Sequence, residues 1–233
     1  MAETKNCIMA IGGHIGDAEL TSGGLLATLA LKGWKIITVG ATGGERGNPA
    51  GISVGDYRVQ KEAEARAFAE MLGGEAVVLP YCDCELVNDE NSRLLLCDII
   101  RRYKPKMLLT HWKNSMHRDH MICHDLVVEA HLLAGLASVE RELPAHFAAG
   151  PYMAENWEDS DGFVPHTYFE VTAEGFELWK KAIETHWFAV SSRDFRYKEY
   201  YMALMRMRGI ERKLEYAEAF ALEEYQKRVT ISL

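Results

Sequence analysis

Apolar residues in this chain fall into two alternating rhythms. Short apolar runs at residues 7–11, 35–39, 76–79 and 106–110 are separated by longer stretches at helical spacing, residues 20–32, 57–72, 91–103 and 120–134. A short run with no polar alternation marks a strand buried on both faces, as in a parallel sheet. Gly33 and Gly73 stand where helices should stop. The β-α-β-α order predicts a Rossmann-like α/β three-layer sandwich, a mostly parallel sheet with right-handed crossovers and helices on both faces. The second half is less regular. Residues 167–171 predict a strand, 174–185 a helix, and 198–226 a largely helical C-terminal stretch. Residues 48–55 and 145–164 read as loops, where specificity would lie. No linker, repeat or low-complexity segment interrupts the chain, so residues 1–233 are expected to form one domain.

Ligands in such sheets bind beyond the carboxyl ends of the strands. That rule gathers residues 13–19, 43–47, 81–85 and 111–120 around one crevice, the expected active site.

Composition narrows the chemistry. With 233 residues, 48% of them apolar, the chain can bury a core without staples, so a metal here would serve chemistry rather than folding. A net charge of -8 lacks the basic footprint of a nucleic-acid binder. The five cysteines, an odd number in a long chain, argue against a disulfide framework. Cys82 and Cys84 read as small buried residues at a strand end. No apolar run is long enough for a membrane span and none resembles a signal peptide, so the expected location is the cytoplasm.

Two segments carry candidate chemistry. His14 and Asp17 sit three residues apart on the turn after the first strand, close enough to face one ion. His117-Arg118-Asp119-His120 opens a helix after the fourth strand. Two histidines and one carboxylate with open positions make a catalytic rather than a structural zinc site, and iron(II) uses the same set.

These motifs carry a resemblance. Gly13-His14-Ile15-Gly16-Asp17-Ala18-Glu19-Leu20 is similar to A-H-P-D-D-x-E-L of the PIG-L / LmbE-like family of zinc-dependent N-acetylglucosaminyl deacetylases. Thr42-Gly43-Gly44-Glu45-Arg46-Gly47 resembles its T-x-G-E-x-G loop, and His117 to His120 its H-P-D-H motif. Weaker echoes are Asp83-Cys84-Glu85-Leu86, residues 165–172, and Tyr216-Ala217-Glu218-Ala219-Phe220. The resemblance implies that His14, Asp17 and His120 bind the metal, Zn2+ or another divalent ion such as Fe2+. It implies that His117 and Asp119 are catalytic, His117 as an imidazolium that supports the oxyanion and protonates the leaving amine. Glu45, Arg46 and Arg58 fall where the family contacts substrate. The implied partner is a small N-acetylated sugar or related amide, with no nucleic acid and no membrane, and the implied assembly a homo-oligomer.

One departure bears on activity. The family's general-base aspartate is Gly16 here, and Ile15 replaces its proline. Losing a general base commonly costs about 10²–10⁴-fold in rate. Three outcomes follow: Glu45, Asp83 or Asp119 has taken over, the amidohydrolase is slow or altered, or the chain is a non-catalytic relative that binds sugar or metal.

Other residues have plainer readings. Gly12 to Gly16 lacks the spacing of a dinucleotide loop. Trp112 and Trp157 could stack on a sugar face or belong to the core. His124, one turn beyond His120, reads as a supporting or solvated side chain rather than a fourth ligand. His111 and His186 read as structural.

Overall fold

The first apolar run extends further than residues 7–11: β1 (Cys7–His14) carries its terminal histidine to the sheet edge. Its alternate side chains feed two separate cores. Ile8 and Ala10 point into one, Cys7, Met9 and Ile11 into the other. Apolar residues on both faces are what a central parallel strand requires, which is why no polar alternation is visible in its sequence.

The computed structural model describes residues 6–227. After β1 come α1 (Asp17–Thr21), α2 (Gly23–Leu31), β2 (Lys35–Thr42), α3 (Val54–Met71), β3 (Glu75–Tyr81), α4 (Glu90–Tyr103), β4 (Met107–His111) and α5 (Arg118–Gly135). The second half adds β5 (Ala149–Ala154), β6 (Thr167–Val171), α6 (Ala173–Ala182), α7 (Trp187–Ser191), α8 (Tyr197–Glu211) and β7 (Tyr216–Ala221). The seven strands form one sheet in the order β3-β2-β1-β4-β5-β7-β6. The first five of that order run parallel, and β7 pairs antiparallel with both β5 and β6. Strand order reverses between β1 and β4, so their carboxyl ends open the crevice where such sheets bind ligands.

The sandwich has the expected layers. α1, α2, α6 and α8 contribute to the core on one face, together with Phe68 of α3, while α4 and α5 cover the other. The buried guanidinium of Arg101 donates to the carbonyls of Leu133, Ala134, Leu136, Val139 and Leu143, closing the end of α5 and the chain beyond it.

Several expectations need correction. The helix expected over residues 20–32 is broken at Ser22, where Gly23 lets α2 pack against α6. A Cβ at Gly23 would lie 2.3 Å from the Trp179 ring. The C-terminal stretch is helical only to Glu211, and residues 216–221 form β7. Its Glu218 accepts from Gly24 N–H and Leu25 N–H at 2.8 and 2.9 Å, capping α2. The loop expected over 145–164 contains β5. Cys82 and Cys84 are exposed rather than buried, because the chain turns outward after β3. Among the described residues no helix is long and apolar enough to cross a membrane.

Candidate metal centre

The turn after β1 is built by its own polar atoms. His14 N–H donates to Asp17 Oδ2 at 2.7 Å, and Gly16 N–H donates to Glu19 Oε2 at 3.0 Å. Gly16 holds φ 105°, a conformation that favours glycine and lets the chain reverse straight into α1. Across the crevice, His117 caps α5, its Nδ1 accepting Asp119 N–H at 3.2 Å, so His120 falls on the first turn, facing β1.

Three donor atoms then converge. His14 Nδ1 lies 3.1 Å from Asp17 Oδ2 and 3.2 Å from His120 Nε2, and His120 Nε2 lies 3.3 Å from Asp17 Oδ2. A tetrahedral cation with nitrogen and oxygen bonds of about 2.0–2.1 Å spaces its ligands by roughly 3.3 Å, so this triangle fits one face of such a site. The remaining ring nitrogens point at carboxylates, the arrangement that orients metal-binding imidazoles. His120 Nδ1 is 2.9 Å from Asp159 Oδ1, and His14 Nε2 is 3.2 Å from Asp83 Oδ1 and 3.6 Å from Asp119 Oδ2. Asp159 also reaches His111, whose Nδ1 lies 2.7 Å from Oδ2. His111 Nε2 accepts Gly13 N–H at 2.9 Å and lies 3.2 Å from Asp17 Oδ2.

The field of the site calls for positive charge at the triangle. Burial alone would lower both histidines. Asp17, with Asp119 and Asp83, instead holds His14 well above its usual range, and Asp17 and Asp159 hold His120 up at about 9. Burial opposes ionisation of Asp17, yet His120 and His14 keep its carboxyl well below the usual range. A divalent ion held there would supply that charge and release the protons.

The predicted site residues divide into those at the centre and those supporting it. His14, Asp17, His117 and His120 come together, with one nitrogen each of His14, His117 and His120 within 4.8 Å of one another. At His117, Nδ1 accepts the Asp119 N–H, and burial and then His14 and His120 lower the pKa of the ring, so its surroundings in this structure oppose the imidazolium expected there. Asp119 is fully buried, accepts Cys84 N–H at 2.7 Å and faces the far nitrogen of His14, so it positions that ring. Glu45 accepts Asp83 N–H at 3.1 Å. Arg58 donates to Tyr81 O, Leu79 O, Glu45 and Glu62. Arg46 donates to Asp83 O and Glu85. Both guanidiniums clamp the β3 end. The side-chain space at Gly16 is filled: a Cβ there would lie 2.4 Å from Phe188 Cζ.

Trp112 is buried and donates to Asp161 O, and Trp157 stacks on Phe195. His124 is buried on His111 O at 3.0 Å rather than solvated, and His186 is buried as expected. Sequence reading overlooked Asp159 and Glu158, which arrive on a 3₁₀ turn after β5. Glu158 Oε2 stands 3.6 Å from His120 Nε2. His111, expected to be structural, ends β4 at the crevice and touches both Asp159 and Asp17.

The 4-oxalmesaconate hydratase of Pseudomonas putida is 26% identical over 228 aligned positions, covering 91% of this chain and 83% of that protein. The 4-carboxy-2-hydroxymuconate hydratase structure from Pseudomonas putida superposes with a TM-score of 0.86 at 22% identity, over 98% of this chain and 99% of that one. N,N'-diacetylchitobiose deacetylase from Pyrococcus horikoshii gives 0.80 at 20% identity, over 93% and 83%. At these identities the two structures speak for a shared fold. A family model described as GlcNAc-PI de-N-acetylase matches residues 9–131, and the chain belongs to that family, PIG-L.

Proposed function

We propose that this chain is a metal-dependent hydrolase that removes an acyl group, such as N-acetyl, from a small sugar-like amide, with Glu158 in place of the missing aspartate. Support comes from the Glu158 carboxylate. Among the acids at the crevice, Asp83, Asp119, Asp159 and Glu45 are engaged with ring nitrogens or backbone N–H groups. No hydrogen bond among the described residues uses the Glu158 carboxylate, which stands beside His120 Nε2. Burial raises its pKa, against the pull of His120, toward the range useful for proton transfer.

His14 Nδ1, Asp17 Oδ2 and His120 Nε2 would hold the ion, a divalent cation such as zinc or iron(II), which two histidines and a carboxylate bind. A divalent cation there polarises an acyl oxygen and lowers the pKa of water. Glu158 takes the proton of the attacking water as its oxygen bonds to the acyl carbon. His117 Nε2–H donates to the developing oxyanion. Collapse breaks the carbon–nitrogen bond, and Glu158 returns the proton to the departing amine. The turnover consumes one water and yields a carboxylic acid and an amine.

A second reading is water addition to a small unsaturated acid. The hydratase relative at 26% identity favours it.

The test is zinc content by elemental analysis, with amine release from a panel of N-acetylated sugars and absorbance loss from conjugated 2-oxo acids run in parallel. About one zinc per chain with amine release supports the hydrolase, and absorbance loss without amine release moves the assignment to the second reading. A chain that neither carries nor takes up metal overturns both.

A further inference from the structure

A buried ammonium stands at the crevice with nothing paired to it. Lys61 is 5% exposed on α3, on the face it shares with Tyr57 and Ala65. None of the ion pairs or side-chain hydrogen bonds among the described residues includes its Nζ. Its surroundings locate it at the centre. Lys61 Nζ lies 3.0 Å and His14 Cβ 2.9 Å from the point where a Gly44 Cβ would sit. Nζ also stands 4.4 Å over the ring of Phe188, the ring that closes the space beside Gly16. Two glycines, a metal-binding histidine and an aromatic ring thus surround one lysine head.

An unpaired buried charge is costly, and cation–π attraction to Phe188 offsets only part of that cost. Burial lowers the pKa of Lys61, while Asp17, Glu64, Glu19 and Asp83 draw it back up from beyond ion-pair distance. A metal would neutralise Asp17 and leave the ammonium still less compensated. The other cations at the crevice are occupied: Arg46 and Arg58 by the β3 end, Arg118 by Cys84 O. With Asp17, Asp83, Asp119, Glu45 and Glu158 around it, the crevice would otherwise repel an anion.

We infer that Lys61 is a substrate-binding residue that receives a carboxylate of the substrate beside the metal, so that the natural substrate, a sugar-like amide or an unsaturated compound, carries a carboxylate. This rests on the crevice being the active site, and it holds for either reaction considered above. Burial of the ammonium makes the pairing strong, because a charge-assisted bond gains from low dielectric.

Binding of malonate, succinate and glutarate can be compared with that of their dimethyl esters, which carry no carboxylate, by titration calorimetry, on zinc-loaded and metal-free protein. The wild type should prefer at least one dicarboxylate over its ester by about tenfold or more, the scale of a hydrogen bond to a charged group. On the metal-free protein Lys61→Met should abolish that preference while leaving the affinity for the neutral ester unchanged, and Lys61→Arg should retain part of it. Lys61→Gln, with a polar tip for the buried position, replaces the Met variant if melting shows that variant unfolded. A metal-free wild type without preference, or a metal-free Met or Gln variant that keeps it, overturns the assignment. Zinc content measured on the same samples reports separately on the metal reading, and the metal-free titration reads the anion preference even where zinc is not bound.

Discussion

Asp159 and His120 form a buried pair, Oδ1 2.9 Å from Nδ1, and the second oxygen of the same carboxylate lies 2.7 Å from His111. One acid therefore fixes two rings at the switch point of the sheet and turns His120 Nε2 toward His14 and Asp17. Asp159→Asn keeps the volume but loses the charge and one acceptor. Zinc affinity should fall by about 10–100-fold, read by competition with a chromogenic chelator. An unchanged affinity would remove Asp159 from the centre.

Glu158→Gln tests the proton carrier. With the fold and zinc content retained, kcat should drop by about 10²–10⁴-fold. A rate within a few fold of the wild type would return the search for the base to the other acids of the crevice.

Restoring the family's aspartate at Gly16 should not restore anything. The backbone there sits at φ 105°, and Phe188 occupies the side-chain space. Gly16→Ala is expected to cost roughly 1–3 kcal/mol in chemical denaturation, and Gly16→Asp should melt earlier with no gain in turnover. Combining Gly16→Ala with Phe188→Ala should recover only the part due to the ring, since the backbone strain stays. A gain in rate from Gly16→Asp alone would contradict this.

Arg101 binds five backbone carbonyls at and beyond the end of α5. Arg101→Ala should destabilise the protein by about 3 kcal/mol or more, because several buried acceptors lose their donors together. Arg101→Lys should recover only part, since an ammonium cannot span the fork of positions a guanidinium reaches. Urea denaturation measures both.

Much of the first half was legible. Its strands are buried on both faces and its helices are long, so apolar runs and helical spacing mark them directly, and His14, Asp17, His117 and His120 lie within motifs whose spacing is local. The second half was less so. Residues 216–221 read Tyr-Ala-Glu-Ala-Phe-Ala, a composition that suits a helix, and become β7 because β5 and β6 offer edges on both sides. Glu218, inside the stretch expected to be helical, caps a helix far away in the chain.

The sequence by itself determined the layered α/β architecture, the edge of the sheet at which chemistry gathers, and the absence of an aspartate at position 16. Those follow from periodicity and residue identity, which are local properties. Only the tertiary structure decided that Phe188 fills the space beside Gly16, that Asp159 and Glu158 come to His120, and that Lys61 stands unpaired beside Gly44 and His14. Each depends on chain segments distant in sequence meeting at one place, and no local pattern of hydrophobic and polar residues encodes a distance across a fold.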